Sequence, residues 1–351
     1  MSTAAAFLER KDVRISAKRY GIDALSAMAQ GLFASLLMGT ILNTLGQLLS
    51  LDVLVQIGSF ATSVKGPAMA AAIGISLGAP NLVLFSLLAV GFAADSLGGA
   101  GGPLAVYFIA VVATECGKLV SKETKVDILV TPFVTICIGS LLAIAFAPAI
   151  GAASIWLGNV IMWATELQPF LMGIIVSVLM GIFLTLPISS AAICAALSLT
   201  GLAGGAALAG CCAQMIGFAI MSFAVNKWSG LVAQGLGTSM LQMGNIVRHP
   251  VIWLPTIVAS AIIGPITTCL FHLEMNGPAI SSGMGTCGLV GQIGVITGWM
   301  TDGAGLGSIG WQNWGILILV SFILPALVTW LVHKACLKAN LYKEEDLKLD
   351  L

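Results

Sequence analysis

Two serines next to a proline form the most unusual polar feature of the sequence. The stretch LTLPISSAAI (184–193) lies in an apolar run long enough to cross a bilayer, yet it carries Thr185, Ser189 and Ser190. Pro187 removes a backbone donor and clashes with the preceding turn, so the helix is expected to break there. A bilayer tolerates such a break only where protein or a water-filled cavity satisfies the freed carbonyls. The hydroxyls could therefore bind a sugar or an ion, or bond their own backbone or a neighbouring helix.

An earlier stretch repeats this outline and adds a charge. In SVKGPAMAAAI (63–73), Pro67 precedes Ala-Ala-Ile at the same distance. Two interrupted hydrophobic segments in matching places of two halves indicate a transporter binding site. A charge at bilayer depth is costly, so Lys65 should line a cavity or pair with Asp95 or Glu115, unless it extends to the interface. In a cavity it would attract an anionic substrate or compete with a coupling cation.

Two later tracts supply further polar groups. Residues 227–250 are too polar for a lipid-facing helix and suit either polyol recognition or a solvated amphipathic face. In the glycine-rich tract 274–310, a half-helix N-terminus could meet an anion. His272 and Glu274 could relay protons, which makes them ion-coupling candidates beside Asp95 and Glu115, or they could cap a helix at the interface. The substrate-binding candidates in these tracts are Gln234, Thr238, Ser239, Gln242, Asn245, Asn276, Ser282, Thr286 and Gln292.

Composition predicts a membrane protein. Of the 351 residues, 58% are hydrophobic and 9% charged, whereas a soluble domain has roughly 25% charged residues. Fifteen basic and fifteen acidic side chains cancel, and no basic stripe suggests nucleic acid. The eight cysteines lack the spacing of metal ligands or of a disulfide framework. No catalytic set stands out, and neither a metal nor a cofactor is expected.

Charge and hydrophobic pattern predict the topology. Basic side chains dominate the arm 1–21 and place the N-terminus in the cytoplasm. Residues 22–333 form one membrane domain, and 334–351 a solvated cytoplasmic tail. The glycine cluster at 98–103 is expected to be a turn or re-entrant tip, and 151–167 an interfacial helix. We predict an all-α polytopic membrane protein of about nine to eleven membrane segments, some re-entrant.

The chain carries the pattern of an internal duplication. Pro67 and Pro187 are 120 residues apart, and Pro132 and Pro255 are 123 apart. These shifts place repeat 1 at about 53–150 and repeat 2 at about 168–273, followed by the glycine-rich re-entrant tract 274–310. Chance matching of alanine-rich segments is the alternative. Inverted and parallel arrangements both remain open, because the number of crossings between the repeats decides between them.

Long blocks of the sequence resemble one known family. They resemble the standalone bacterial membrane proteins of the PfoR type, described as toxin regulators and grouped with the IIC membrane components of the sugar phosphotransferase system. The blocks are GFAADSLGGAGGP (91–103), GKLVSKETKVDILVTP (117–132), IMWATELQPFLMGIIVSVLMGI (161–182), LTLPISSAAI (184–193), QGLGTSMLQMGNIVRHP (234–250) and GMGTCGLVGQIG (283–294).

This resemblance implies a permease fold, a homodimer and the bacterial inner membrane. A typical IIC protein works with IIA and IIB domains, whose phosphorylated His or Cys passes phosphate to the sugar. The chain lacks such a soluble domain and the glycine-isoleucine-threonine-glutamate signature of glucose-type IIC proteins. As the membrane subunit of a phosphotransferase, it would therefore need separate IIA and IIB partners.

Together these features predict alternating-access transport of a small hydrophilic solute across the lipid bilayer. The solute would be a sugar, a polyol or a hydroxylated organic anion, with uptake coupled to IIA and IIB proteins or to a cation gradient. Lys65 in one break and hydroxyls in the other favour a ligand with both an anionic group and hydroxyls. The alternative is a membrane ligand sensor that regulates gene expression without transport. A channel fits less well, because paired breaks are typical of a gated central site.

Overall fold

The prediction of an all-α membrane protein is confirmed. The computed structural model describes residues 3–48, 51–300 and 309–349, and every regular element within these ranges is helical. Asp302 and the rest of 301–308, in the glycine-rich tract, lie outside the described residues. Shorter apolar helices cover Pro169–Thr185 and Cys287–Trp299. Six helical stretches in the described ranges are long and apolar enough to span a membrane: Arg19–Asn43, Asn81–Val120, Asp127–Trp156, Gly201–Met221, Pro250–Leu270 and Trp311–Lys338. The second of these stretches, Asn81–Val120, contains two helices joined by a turn.

The chain divides into two compact units. Unit 1 comprises Met1–Gly39 and Gln56–Ala153, and unit 2 comprises Thr40–Val55 and Ser154–Leu351. The helices α1–α8 are Thr3–Arg10, Leu25–Leu32, Met38–Leu48, Asp52–Ser63, Lys65–Ser76, Asn81–Gly98, Gly102–Val120 and Asp127–Thr165. The helices α9–α17 are Pro169–Thr185, Ser190–Ala196, Gly201–Met221, Phe223–Val232, Met243–Arg248, Leu254–Pro265, Val290–Trp299, Trp311–Ile318 and Leu324–Lys338.

Helices α6 and α7 of unit 1 form an antiparallel pair. Gly99 has a φ of +50°, a conformation that glycine adopts without a steric penalty, and the chain turns there. The packing of Gly98 against Ala105, and of Gly117 against Val83, establishes that the two helices run in opposite directions. The prediction of a turn in the glycine cluster is therefore confirmed.

Helix α8 differs from its prediction. It runs without interruption from Asp127 to Thr165, so the expectation of a separate interfacial helix at 151–167 was wrong. Gly151 packs against the backbone of Gly98. Since glycine has no side chain to obstruct this contact, its place in the sequence reflects helix packing and not the end of a helix.

Unit 2 is built around α11. In the helix Gly201–Met221, 89% of an 18-residue apolar stretch is buried. Gly210 explains how closely its neighbour α9 approaches, because a Cβ on Gly210 would lie 2.6 Å from the Cα of Ser177. Apolar residues of α11, α14 and the turn before α17 complete the core, among them Leu208, Cys212, Ile263 and Val320.

Two segments of unit 2 leave one end of the unit and return to it. At the start of α9, the Pro169 carbonyl accepts a 2.7 Å bond from Thr268. After α10, Gly201 bridges Met275, while Leu273 bonds Thr267. Both ends of 169–201 therefore lie together, with the proline break between them. Likewise, the segment 276–299 returns to its start, because Gly298, near the end of α15, packs on the backbone of 276–277.

A third segment, 223–248, is hydrogen-bonded near both of its ends to the last described residues. Asn226 donates to the Leu347 carbonyl at 2.8 Å, and Asn245 donates to the Lys348 carbonyl at 2.8 Å. Leu347 is fully buried. The last described residues thus contact the segment 223–248, while most side chains of 339–349 are exposed or partly exposed.

Candidate functional site

Lys65 of unit 1 forms an ion pair at the start of α5. Its ammonium lies 3.4 Å from an Asp95 carboxylate oxygen, and the two side chains are 29% and 12% exposed. Asp95 packs against Gly66 and Gly102, which leave no room for a Cβ. The helix break falls at Val64, with Pro67 in the first turn that follows, where proline is tolerated.

The other predicted partner, Glu115, belongs to a different cluster of unit 1. It accepts a 3.0 Å bond from Tyr20 and lies 3.3 Å from the Lys118 ammonium. Lys118 and Arg19 both donate to the Leu77 carbonyl, at 2.8 Å and 2.5 Å. Cations at the C-terminal end of α5 complement its dipole. This cluster therefore stabilises the C-terminal end of α5, whereas Lys65 lies at the N-terminal end of the same helix.

The proline break of unit 2 meets an uncharged polar cluster. The Thr185 hydroxyl lies 2.8 Å from the Ser239 hydroxyl and 3.3 Å from Gln214 Oε1. Gln214 Oε1 also accepts 2.9 Å bonds from Trp253 Nε1 and the Thr256 hydroxyl. Thr185, Gln214 and Ser239 are fully buried. We call these five residues the Gln214 cluster.

The breaks of unit 2 contact one another through further hydroxyls. Ser190 donates to the Gly283 carbonyl at 2.7 Å. Thr286, at the reversal before α15, donates to the Gly235 carbonyl at 2.5 Å. Irregular backbone from three segments therefore converges inside unit 2, where hydroxyls satisfy carbonyls that no helix can satisfy.

A chain of amides leads from this region to the end of the protein. Gln242 Nε2 donates to Gln234 Oε1 at 2.9 Å and to the Leu347 carbonyl at 3.0 Å. Asn245 donates to Gln242 Oε1 at 2.8 Å, and Gln234 donates to the Ser222 hydroxyl at 2.8 Å. Three predicted substrate contacts are thus engaged with one another and with the last residues.

Four other predicted residues contact the protein itself, Ser189 and Thr238 locally and Ser282 and Gln292 over long sequence separations. Ser189 caps α10 by accepting from Ala192 N, and Thr238 accepts from Met240 N. Ser282 donates to the Leu199 carbonyl at 2.6 Å. Gln292 Nε2 lies 3.4 Å from Cys212 Sγ, while its buried Oε1 has no hydrogen-bond partner among the described residues.

His272, Glu274 and Asn276 come together at one end of unit 2. They line a cavity of about 160 Å³ with Trp299 and Asn313. Asn276 donates to Glu274 at 2.9 Å. Two ion-coupling candidates and one substrate-binding candidate therefore line the same cavity. Gln214 does not line this cavity.

Sequence reasoning missed Gln214, although a signal for it exists. It is the only amide in the apolar helix Gly201–Met221. An amide in such a helix is costly unless it finds hydrogen-bond partners, so its presence alone indicates a buried polar contact. Its partners Thr256 and Ser260, one turn apart on α14, give no comparable signal, because hydroxyls readily bond their own helix.

These features define a polytopic α-helical membrane protein with interrupted helices and polar groups buried in its interior. Residues 22–349 match the family described as "Phosphotransferase system, EIIC". The chain belongs to this family and is thus a membrane component of a sugar transporter. No curated protein and no solved structure matches it.

Proposed function

We propose that the protein carries a sugar, a polyol or a hydroxylated organic anion across the bacterial inner membrane by alternating access. The Gln214 cluster is the observation that carries this proposal. Its hydroxyls and amide are groups that can exchange hydrogen bonds with a polyol. Since Thr185 and Ser239 bond each other at 2.8 Å, a solute could replace that contact without leaving either hydroxyl unpaired. Such an exchange suits a site that closes when empty.

The chain reversals of unit 2 support a transporter architecture. We interpret 169–201 and 276–299 as re-entrant segments, the first in repeat 2 and the second in the glycine-rich tract that follows it. We also infer two structural repeats and a cytoplasmic N-terminus. The likeness to PfoR-type proteins favours a homodimer. Only 22% of an 18-residue apolar stretch in the span Asp127–Trp156 is buried, which leaves an apolar surface for lipid or a second copy.

Two coupling schemes follow from the family and the charged groups. In the first, separate IIA and IIB proteins phosphorylate the bound sugar. In the second, a cation gradient drives uptake through Lys65 and Asp95, through Glu115, or through His272 and Glu274. Phosphorylation of labelled sugar in vesicles, with and without purified IIA and IIB proteins, separates the two schemes.

Counterflow in proteoliposomes tests transport directly. We expect a panel of labelled sugars and polyols to reveal one that exchanges in the wild type. Thr185→Val and Ser239→Ala should each weaken binding of that solute about tenfold, the value of one hydrogen bond of about 1.4 kcal/mol. Ser229→Ala is the matched control, because Ser229 is exposed on the segment 223–248. Equal losses in all three variants would contradict the assignment of the site.

The bonds between the segment 223–248 and the last described residues favour one alternative, ligand sensing. Gln242 joins Gln234 to the Leu347 carbonyl, so movement of the segment 223–248 would reach the end of the chain. A sensor would bind a solute tightly, change the protease sensitivity of residues 339–349 and produce no counterflow. Counterflow of the same solute would instead support the carrier.

A further inference from the structure

Unit 1 contains a cavity of about 400 Å³ at the C-terminal end of α7. The N-terminal arm, the turn after α5 and the loop after α7 enclose it. This volume lies in the range of small-molecule sites, roughly 300–1,000 Å³. Six charged side chains line it: Arg10, Lys11, Asp12, Lys118, Lys122 and Glu123.

Positive charge prevails in the lining, with four cations against two carboxylates. Lys11 is 9% exposed and Lys118 is 2% exposed. Charges held in such surroundings are screened less than surface charges and act more strongly on an ion that enters. The cavity therefore favours an anion.

Both carboxylates already have cationic partners. Glu123 pairs with Arg10 at 2.8 Å and with Lys11. Asp12 pairs with Arg19 at 2.7 Å and lies 3.6 Å from Lys118.

Two cations in the lining retain donors for a ligand. None of the ion pairs in the described ranges involves Lys122. Arg10 is 63% exposed and reaches Glu123 through one nitrogen, so its other N–H groups remain for a ligand.

We propose that this cavity binds a phosphate group, carried by a soluble phosphomonoester or by an anionic lipid headgroup. A guanidinium beside an ammonium is a donor set that suits phosphate oxygens. The cavity adjoins both ends of the stretch Asn81–Val120, since Pro80 and Lys118 line it. The ends of membrane-spanning helices are where anionic lipid headgroups meet basic side chains. The proposal does not depend on transport, because the cavity belongs to unit 1 and the Gln214 cluster to unit 2.

Calorimetric titration of the full chain in neutral detergent tests the soluble source. We expect inorganic phosphate and glucose 6-phosphate to bind, and glucose not to bind at this site. Lys122→Gln and Arg10→Gln should each raise the Kd about tenfold, the effect of one charge-assisted hydrogen bond. Lys125→Gln removes the same charge from the same loop but does not line the cavity, and it should leave the Kd unchanged.

Nanodiscs of phosphatidylglycerol and of phosphatidylcholine test the lipid source. If the ligand is a headgroup, phosphatidylglycerol should raise the melting temperature, Lys122→Gln should abolish the rise, and Lys125→Gln should preserve it. The proposal is overturned if neither phosphate compounds nor phosphatidylglycerol bind, or if Lys125→Gln causes the same loss as Lys122→Gln. Comparable binding of glucose and glucose 6-phosphate, unaffected by Lys122→Gln, would also overturn it.

Discussion

The two units solve the same packing problem with different polar chemistry. In unit 1, Gly66 and Gly91 let α5 and α6 approach closely, and the Lys65–Asp95 ion pair lies beside that crossing. In unit 2, Gly181 and Gly210 let α9 and α11 approach closely, and the Gln214 cluster lies beside that crossing. One polar centre is charged and the other is neutral.

Hydrogen bonding distinguishes the two centres further. Asp95 Oδ1 is buried and, among described residues, accepts no hydrogen bond, whereas Gln214 Oε1 accepts from Trp253, Thr256 and Thr185. Lys65 keeps partial exposure while Gln214 has none. The charged centre therefore depends on electrostatics and on access to water, and the neutral centre depends on complete hydrogen bonding.

Substitution of Gly210, where α9 and α11 cross, should cause the largest loss of stability. A Cβ in Gly210→Ala would meet the Ser177 backbone, with the Cα only 2.6 Å away, and backbone cannot rotate aside as a side chain can. We expect a loss of about 3 kcal/mol in the free energy of unfolding. Gly315→Ala is the control, since nothing lies within 4 Å of its Cβ position. Thermal unfolding in detergent compares the variants, and equal melting temperatures would contradict the close crossing.

Removing the central amide should cost slightly less. Gln214→Leu deprives the partly buried Trp253 indole N–H and the buried Thr256 hydroxyl of an acceptor, and losing such bonds costs about 2 kcal/mol. Gln312→Leu makes the same change on an exposed surface of α16 and should leave stability nearly unaltered. If the two leucine variants unfold alike, hydrogen bonding does not govern the neutral centre.

The two side chains of the charged centre, Lys65 and Asp95, should show a measurable coupling energy. This energy should be smaller than the losses of stability expected at the neutral centre. Lys65→Met and Asp95→Leu each leave one charge without its partner, so the double variant should lose less stability than the two single variants added together. We expect a coupling energy of about 1 kcal/mol in a double-mutant cycle. The exposed pair Lys334–Glu344, at 3.2 Å, serves as the control with coupling near zero. Equal coupling in both cycles would mean that burial adds nothing to the Lys65–Asp95 pair.

The fold class could be predicted from the sequence because hydrophobicity is a local property. The length of apolar runs identified a membrane protein, and the glycine cluster at 98–103 indicated a turn or re-entrant tip, since each signal is contained within one short stretch of sequence. The partner of Lys65 was narrowed to Asp95 or Glu115 by the cost of a buried charge. The choice between them depended on helix packing that no spacing reveals.

The polar centre of unit 2 was predictable only in part. Thr185 and Ser239 were both singled out as candidates, yet their 2.8 Å contact joins segments 54 residues apart. Spacing carries no information about such a contact, because it depends on how three interrupted segments reverse. Gln242 and Asn245 show the same limit: their amides are equally suited to a polyol and to the backbone carbonyls of the last residues, which they contact here.

The smallest predicted effect is a change in hydrogen exchange at the termini. The N-terminal arm is held by charged side chains, whereas the last described residues are held by neutral amides. The Arg19 guanidinium hydrogen-bonds Asp12 and holds the pKa of that carboxyl below its ordinary value of 3.8. A depressed pKa stabilises the arm at neutral pH, and this contribution is lost as the pH falls below about 4. Hydrogen exchange of the amides of residues 11–13, which bond Phe7, Glu9 and Leu8, should therefore accelerate between pH 6 and pH 3 beyond the intrinsic pH dependence. In Asp12→Asn this acceleration should be reduced.

The other terminus provides the internal reference for this measurement. The Leu349 amide donates to Asn226 Oδ1 at 2.8 Å, and an amide side chain does not titrate. Its exchange should follow only the intrinsic pH dependence while the N-terminal arm loses protection. Loss of protection at both termini together would indicate global unfolding, so that the arm's charges would no longer explain its response to acid.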